Sequence, residues 1–202
     1  MTKIKLCGLK RICDIDCVNE LMPDFVGFVF WQKSKRNVDF ETARTLWQRL
    51  NGGITAVGVF VDETTHNIAY LVNEGIIDMV QLHGAEDNDY IEELRKKVSC
   101  PVIQAFQIRS AEDIDAAKNS AADYIMLDSG TGSGMTFDHS LIKGIDRKFF
   151  LAGGLDSENV YDKILLYAPF AVDASSSLET DGVKDKDKMT AFVKAVRKDK
   201  IQ

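Results

Sequence analysis

Four side chains that can carry a proton stand at or near the C-terminal ends of short apolar runs. Cys7 closes the run 4–7, His83 closes 79–83 and Asp128 closes 124–128, while Asp173 sits inside 171–174. Thiols (ordinary pKa about 8.5) and carboxyls (about 4) are groups from which acid and base steps are built. Side chains of an extended run alternate between two faces. Lys5 and Cys7 therefore oppose Ile4 and Leu6, and Gln81 and His83 oppose Val80 and Leu82. Met126 and Asp128 oppose Ile125 and Leu127, and Asp173 opposes Val172 and Ala174. One face is apolar, as packing against helices requires; the other ends in polar groups. If the runs are parallel neighbours, these groups ring one pocket although they lie far apart in the chain. The plainer reading of each, taken alone, is a strand-end residue bound to backbone or water.

The elements that must position them repeat about every 25 residues. Runs rich in Val, Ile and Phe occupy 4–7, 25–30, 55–61, 79–83, 102–107, 124–128, 149–152 and 171–174. Polar turns and stretches of helical period separate them, at 40–50 behind Asp39, 68–72, 90–98, 114–118, 160–167 and 189–196. Ser110 with Asp113 reads as a capping box, and weaker helical patterns cover 12–21 and 141–145. Alternating strands and helices imply a parallel sheet with crossover helices, an α/β fold. Two architectures compete: a closed (β/α)8 TIM barrel with outer helices, and a doubly wound open sheet. In the barrel the polar strand ends converge on the C-terminal mouth, where such enzymes keep their active sites.

The 202 residues suit one domain, taken as 1–202, and are enough to bury a core without staples. A net charge of -6 argues against a broad nucleic-acid surface, so no nucleic-acid partner is expected. No apolar run approaches the roughly 20 residues a bilayer needs, and the N-terminus has no leader signature, so a cytoplasmic protein without membrane association is expected. Cys13, Cys17 and Cys100 then read as reduced structural thiols, and their spacing with Cys7 matches no zinc pattern.

KLCGL at 5–9 resembles the N-terminal signature of the phosphoribosylanthranilate isomerases. VGVFVD at 57–62, QLHG at 81–84, LDSGTGSGMTFD at 127–138, LAGGLDSENV at 151–160 and VDASSSLETDGVKD at 172–185 agree with that family in order. The resemblance spans the chain and favours the barrel. It implies an Amadori rearrangement of N-(5-phosphoribosyl)anthranilate to an aminodeoxyribulose phosphate in tryptophan synthesis. The substrate is a small phosphosugar, and no metal or organic cofactor is implied. Both a monomer and a homodimer are consistent with it.

The resemblance assigns Cys7 as general base and Asp128 as general acid. To act as an acid at neutral pH, Asp128 needs its pKa raised, by burial or by a carboxylate such as Asp173. Cys7 needs the opposite shift, and Lys5, two residues earlier on the same face, is the candidate cause. Arg36 matches the arginine that holds the anthranilate carboxylate, a task suited to a planar guanidinium. Lys35 stands where the family usually has Pro, which bears on loop rigidity. The phosphate is expected at the loops after the seventh and eighth strands, on Gly153, Gly154, Ser175 and Ser176. Ser177 replaces a family Gly, a costly change if that position needs positive φ. His83 and Asp173 are expected to touch the sugar or the loops. Gly130-Thr131-Gly132-Ser133-Gly134 resembles the family's mobile sixth loop and lacks the Lys of a nucleotide P-loop.

Three other readings compete. The related histidine-pathway isomerase has an aspartate where this chain has Cys7. A pentose-phosphate epimerase needs more metal ligands than His66, His83 and His139 offer. A catalytically silent barrel serving as a binding module conflicts with intact Cys7 and Asp128.

Overall fold

The structure, a computed structural model, describes residues 1–128, 142 and 145–198. Eight parallel strands pair in sequence order: β1 (Lys3–Cys7), β2 (Phe25–Val29), β3 (Thr55–Phe60), β4 (Met79–Leu82), β5 (Val102–Gln107), β6 (Tyr124–Asp128), β7 (Phe149–Ala152) and β8 (Ala171–Ala174). β8 returns to pair with β1, Lys5 against Asp173, which closes the barrel and excludes the open sheet. Among the described residues the helices are α1 (Ile12–Leu21), α2 (Phe40–Arg49), α3 (Thr65–Asn73), α4 (Asn88–Arg95), α5 (Ala111–Lys118), α6 (Val160–Tyr167) and α7 (Lys186–Val196). A 3-10 turn (Ser176–Leu178) and a short hairpin, β9 (Glu179–Thr180) with β10 (Val183–Lys184), separate β8 from α7. The glycine-rich segment 130–134 lies outside the described residues, as does most of the helical pattern at 141–145. No helix among the described residues is long and apolar enough to cross a membrane.

The two-residue alternation produces two cores. Ile4, Leu6, Val80, Leu82, Ile125 and Leu127 point outward into the layer shared with the helices. Phe25, Val57, Met79, Ile103, Met126 and Phe150 point inward and fill the lower barrel. Aromatic rings close the N-terminal end, with Phe25 and Phe150 centroids 5.4 Å apart and Tyr124 stacked on Phe170 at 5.0 Å. The remaining opening is therefore at the C-terminal ends of the strands.

Caps set the helix boundaries. α4 starts before the apolar pattern at 90–98 because Asp87 accepts the Tyr90 N–H at 2.9 Å. Such a cap contributes about 1 kcal/mol. Three aspartates do a related task at the foot of the barrel. Asp24 accepts from the Ile4 N–H (2.9 Å), Asp78 from Ala56 (2.8 Å) and Asp123 from Val102 (2.8 Å). Each precedes an even-numbered strand and ties it to the start of the odd-numbered strand before it.

Candidate active site

A cavity of about 440 Å³ opens at the C-terminal mouth. Cys7, Asp128, His83 and Asp173 line it, as do Arg36, the Gly153-Gly154 turn, Ser175 and Ser176. The closed barrel thus brings these nine residues, far apart in the sequence, to one cavity. Gln81 also lines the cavity, a position for which the sequence had suggested no role.

Cys7 ends β1 and is buried against Val29 and Val59. It pairs in register with Gly27 of β2, and a Cβ there would lie 2.6 Å from the Cys7 sulfur. The missing side chain at 27 is what gives the thiol its space. Below Cys7, the fully buried Lys5 ammonium donates to Asp173 Oδ1 at 2.8 Å. Burial pushes the Cys7 thiol up. Lys5 pulls it down by charge and hydrogen bonding, Asp173 pushes it up, and Lys184 pulls it down. Burial wins, so the thiol stands above its ordinary value rather than below it. The sign expected for Lys5 holds; the net shift has the opposite direction. Burial also pulls Lys5 down, but Asp173 and Cys7 outweigh it and keep the ammonium above its ordinary value. Asp173, expected beside Asp128 or the sugar, is thus committed to Lys5.

Across the mouth, His83 Nε2 lies 3.8 Å from Asp128 Oδ2. Behind it, Gln81 Nε2 is 3.0 Å from His83 Nδ1 and 3.4 Å from the sulfur of Met126. Gln81 is 1% exposed, and its Oε1 has no hydrogen-bond partner among the described residues.

Arg36 reaches the cavity from the loop after β2. Its Nε and Nη2 are held by the two carboxylate oxygens of Glu179, the latter at 2.9 Å. Nη1 makes no hydrogen bond among the described residues. Burial alone would raise the Glu179 carboxyl; hydrogen bonds and charge from Arg36 and Lys184 instead hold it down at about 2. Lys184 Nζ, buried with it, donates to Glu179 (2.8 Å) and to the Ser175 carbonyl (2.9 Å). Lys35 adds a third cation, 3.5 Å from Glu179. With Lys in place of Pro, the loop is braced by Val38 N–H to the Val29 carbonyl (2.9 Å) and Lys10 to the Lys35 carbonyl (2.9 Å). Gly8 lets the arginine pass: its φ is +82°, and a Cβ would lie 2.5 Å from Arg36 Cδ. Glu179 and Lys184 lie in the quoted segment 172–185, yet only closure of the chain reveals their partners.

In the loop after β7, Gly153 (φ +92°) and Gly154 (φ +64°) are consecutive positive-φ residues, a conformation natural to glycine. Without side chains, the pair leaves its backbone open to close approach by a ligand. Ser175 Oγ donates to the Cys7 carbonyl (3.1 Å), which fixes the β8 loop against β1. Ser177 does not adopt positive φ; it lies in the 3-10 turn and donates to the Leu155 carbonyl, so Ser carries no backbone strain there.

The family model for N-(5'phosphoribosyl)anthranilate (PRA) isomerase matches residues 4–195. A curated relative named N-(5'-phosphoribosyl)anthranilate isomerase, from Endomicrobium trichonymphae, is 42% identical over 202 residues, covering 98% of this chain and 99% of the relative. The crystal structure of phosphoribosyl anthranilate isomerase from Thermotoga maritima superposes with a TM-score of 0.90 at 36% identity, covering 98% of this chain and 100% of that one. A phosphoribosyl anthranilate isomerase in complex with reduced 1-(o-carboxyphenylamino)-1-deoxyribulose 5-phosphate gives a TM-score of 0.88 at 35% identity, again over 98% of this chain and 100% of that one. The chain belongs to the N-(5'-phosphoribosyl)anthranilate isomerase family.

Proposed function

We propose that this chain isomerises N-(5'-phosphoribosyl)anthranilate to 1-(2-carboxyphenylamino)-1-deoxyribulose 5-phosphate in tryptophan biosynthesis, by an Amadori rearrangement. Asp128 is the general acid: it protonates the ring oxygen, the bond from that oxygen to C1 breaks, and a protonated Schiff base remains. Cys7 is the general base: its thiolate removes the proton from C2 and leaves an enolamine. The enolamine gains a proton at C1 and gives up its C2 hydroxyl proton to become the ketone, so substrate and product share one composition. Burial disfavours the thiolate, whereas Lys5, Lys184 and the cationic Schiff base favour it. The thiolate is thus more populated once the cationic Schiff base has formed, at the stage when the C2 proton is to be removed.

Arg36 holds the anthranilate carboxylate through Nη1, its other nitrogens being fixed by Glu179. The phosphate binds at Gly153, Gly154, Ser175 and Ser176, in the loops after β7 and β8. His83 and Asp173 act from the cavity wall, the first beside Asp128 and the second through Lys5. The observation that carries the reading is one cavity that holds a thiol, a carboxyl, a guanidinium with a spare edge and a diglycine turn. Its volume of about 440 Å³ is in the range of sites for small organic ligands.

The direct test is turnover of freshly made phosphoribosylanthranilate, followed by loss of its fluorescence. Conversion to the ketose is the expected result, with inorganic phosphate competing; a purified, folded chain that leaves the substrate unchanged would overturn the proposal. Gly8→Ala tests the carboxylate end. Left-handed φ costs a residue with a side chain about 1–3 kcal/mol, and the methyl group displaces Arg36. KM is expected to rise about tenfold with a smaller change in kcat. An unchanged KM would remove Arg36 from substrate binding.

A further inference from the structure

The Gln81 amide nitrogen occupies a position with two neighbours, the Nδ1 of His83 at 3.0 Å and the thioether of Met126 at 3.4 Å. A thioether accepts hydrogen bonds weakly and never donates, so an amide oxygen in that position would face the lone pairs of the sulfur. Only the amide NH2 group serves both neighbours, which fixes the orientation of the side chain. The imidazole Nδ1 must then accept. A neutral imidazole carries one hydrogen, and with Nδ1 accepting it resides on Nε2. Nε2 is the atom that stands 3.8 Å from Asp128 Oδ2. This orientation leaves Gln81 Oε1 buried without a partner among the described residues.

We propose that Gln81 is a positioning residue for the acid step. It holds His83 in the Nε2–H tautomer, so that a donor faces the carboxylate left when Asp128 gives up its proton. Gln81 acts through His83 and does not itself meet the reacting atoms. The geometry follows from strand parity. Met79, Gln81 and His83 climb the inner side of β4 as Tyr124, Met126 and Asp128 climb β6. Gln81 thus meets Met126 one level below the meeting of His83 with Asp128. The inference rests on the assignment of Asp128 as the acid.

The test uses the intact chain labelled with 15N-histidine. His83 is one of three histidines, and its resonances are assigned by their loss in His83→Asn. The wild type is expected to show an unprotonated Nδ1 and a protonated Nε2. Gln81→Met keeps the side-chain length and removes the donor; it is expected to give mixed tautomers and a kcat at least tenfold lower, with KM changed less than twofold. Gln81→Glu preserves the shape if the Met variant folds poorly; its carboxylate draws the hydrogen to Nδ1, and kcat is expected to fall in the same way. A wild-type His83 with the hydrogen on Nδ1, or a Gln81→Met enzyme that retains kcat or changes only in KM, would overturn the proposal. Full turnover by Asp128→Asn would overturn the acid assignment on which it rests, whatever tautomer His83 shows.

Discussion

Asp128→Asn and Cys7→Ala each lower kcat by about two to four orders of magnitude, the range contributed by a well-placed acid or base, while the barrel stays folded. Asn matches the shape of Asp but has no acidic proton for the ring oxygen. Ala at position 7 leaves no group to take the C2 proton. Neither change should unfold the chain. Cys7 contributes a small part of the inner wall, and Asp128 is partly exposed at the mouth. Thermal unfolding within a few degrees of the wild type, measured beside steady-state turnover, separates loss of chemistry from loss of fold. Near-normal turnover in either variant would remove that residue from its role. The two changes should also be distinguishable, because in the proposed mechanism ring opening precedes C2 deprotonation. With substrate deuterated at C2, Cys7→Ala should retain an isotope effect, and Asp128→Asn should lose it as ring opening becomes limiting.

The second large effect concerns the ion pair under the thiol. The proposed base is the Cys7 thiolate, so kcat/KM is expected to rise with pH until the thiol has ionised. Lys5 favours the thiolate, and its removal in Lys5→Met should move that rising limb to higher pH. Asp173 disfavours the thiolate, and Asp173→Asn should move the limb to lower pH. Both substitutions also break a pair in which Lys5 is fully buried. Removing one partner of a buried pair costs about 3–5 kcal/mol, because the other charge is left without compensation. Urea midpoints are therefore expected to fall in both variants while the pH limbs move in opposite directions. Alkylation of Cys7 against pH, read by peptide mass because exposed Cys13 reacts as well, gives the thiol directly. Limbs that move together, or not at all, would show that the pair serves the fold alone.

The strands were legible because strand parity and β-branched runs are local signals. The choice of a closed barrel over an open sheet rested on the family resemblance, since closure of β8 onto β1 is not local. Strands were placed to within a residue, and the helix at 160–167 matched α6 at both ends. The face of each strand followed from counting in twos, which put Cys7, His83 and Asp128 at one mouth. What escaped depends on closure and on crowding. Lys5 meets Asp173 only because β1 lies beside β8, and Arg36 meets Glu179 only because the hairpin after β8 folds over the β2 loop. Gly8 and Gly27 look like ordinary turn and strand glycines in the chain. Their importance lies in the Arg36 and Cys7 atoms that a methyl group would strike. The thiol's direction of shift escaped for a related reason: proximity of Lys5 is visible in the sequence, and the depth of burial that outweighs it is not.

The aspartates Asp24, Asp78 and Asp123 grip the end of the barrel away from the reaction. Substrate preference and robustness are thereby written on opposite rims. Loops at the mouth can be exchanged for ones that fit another aminosugar without loosening those grips. Changes to the grips should lower the melting temperature of every such descendant equally, whatever it turns over.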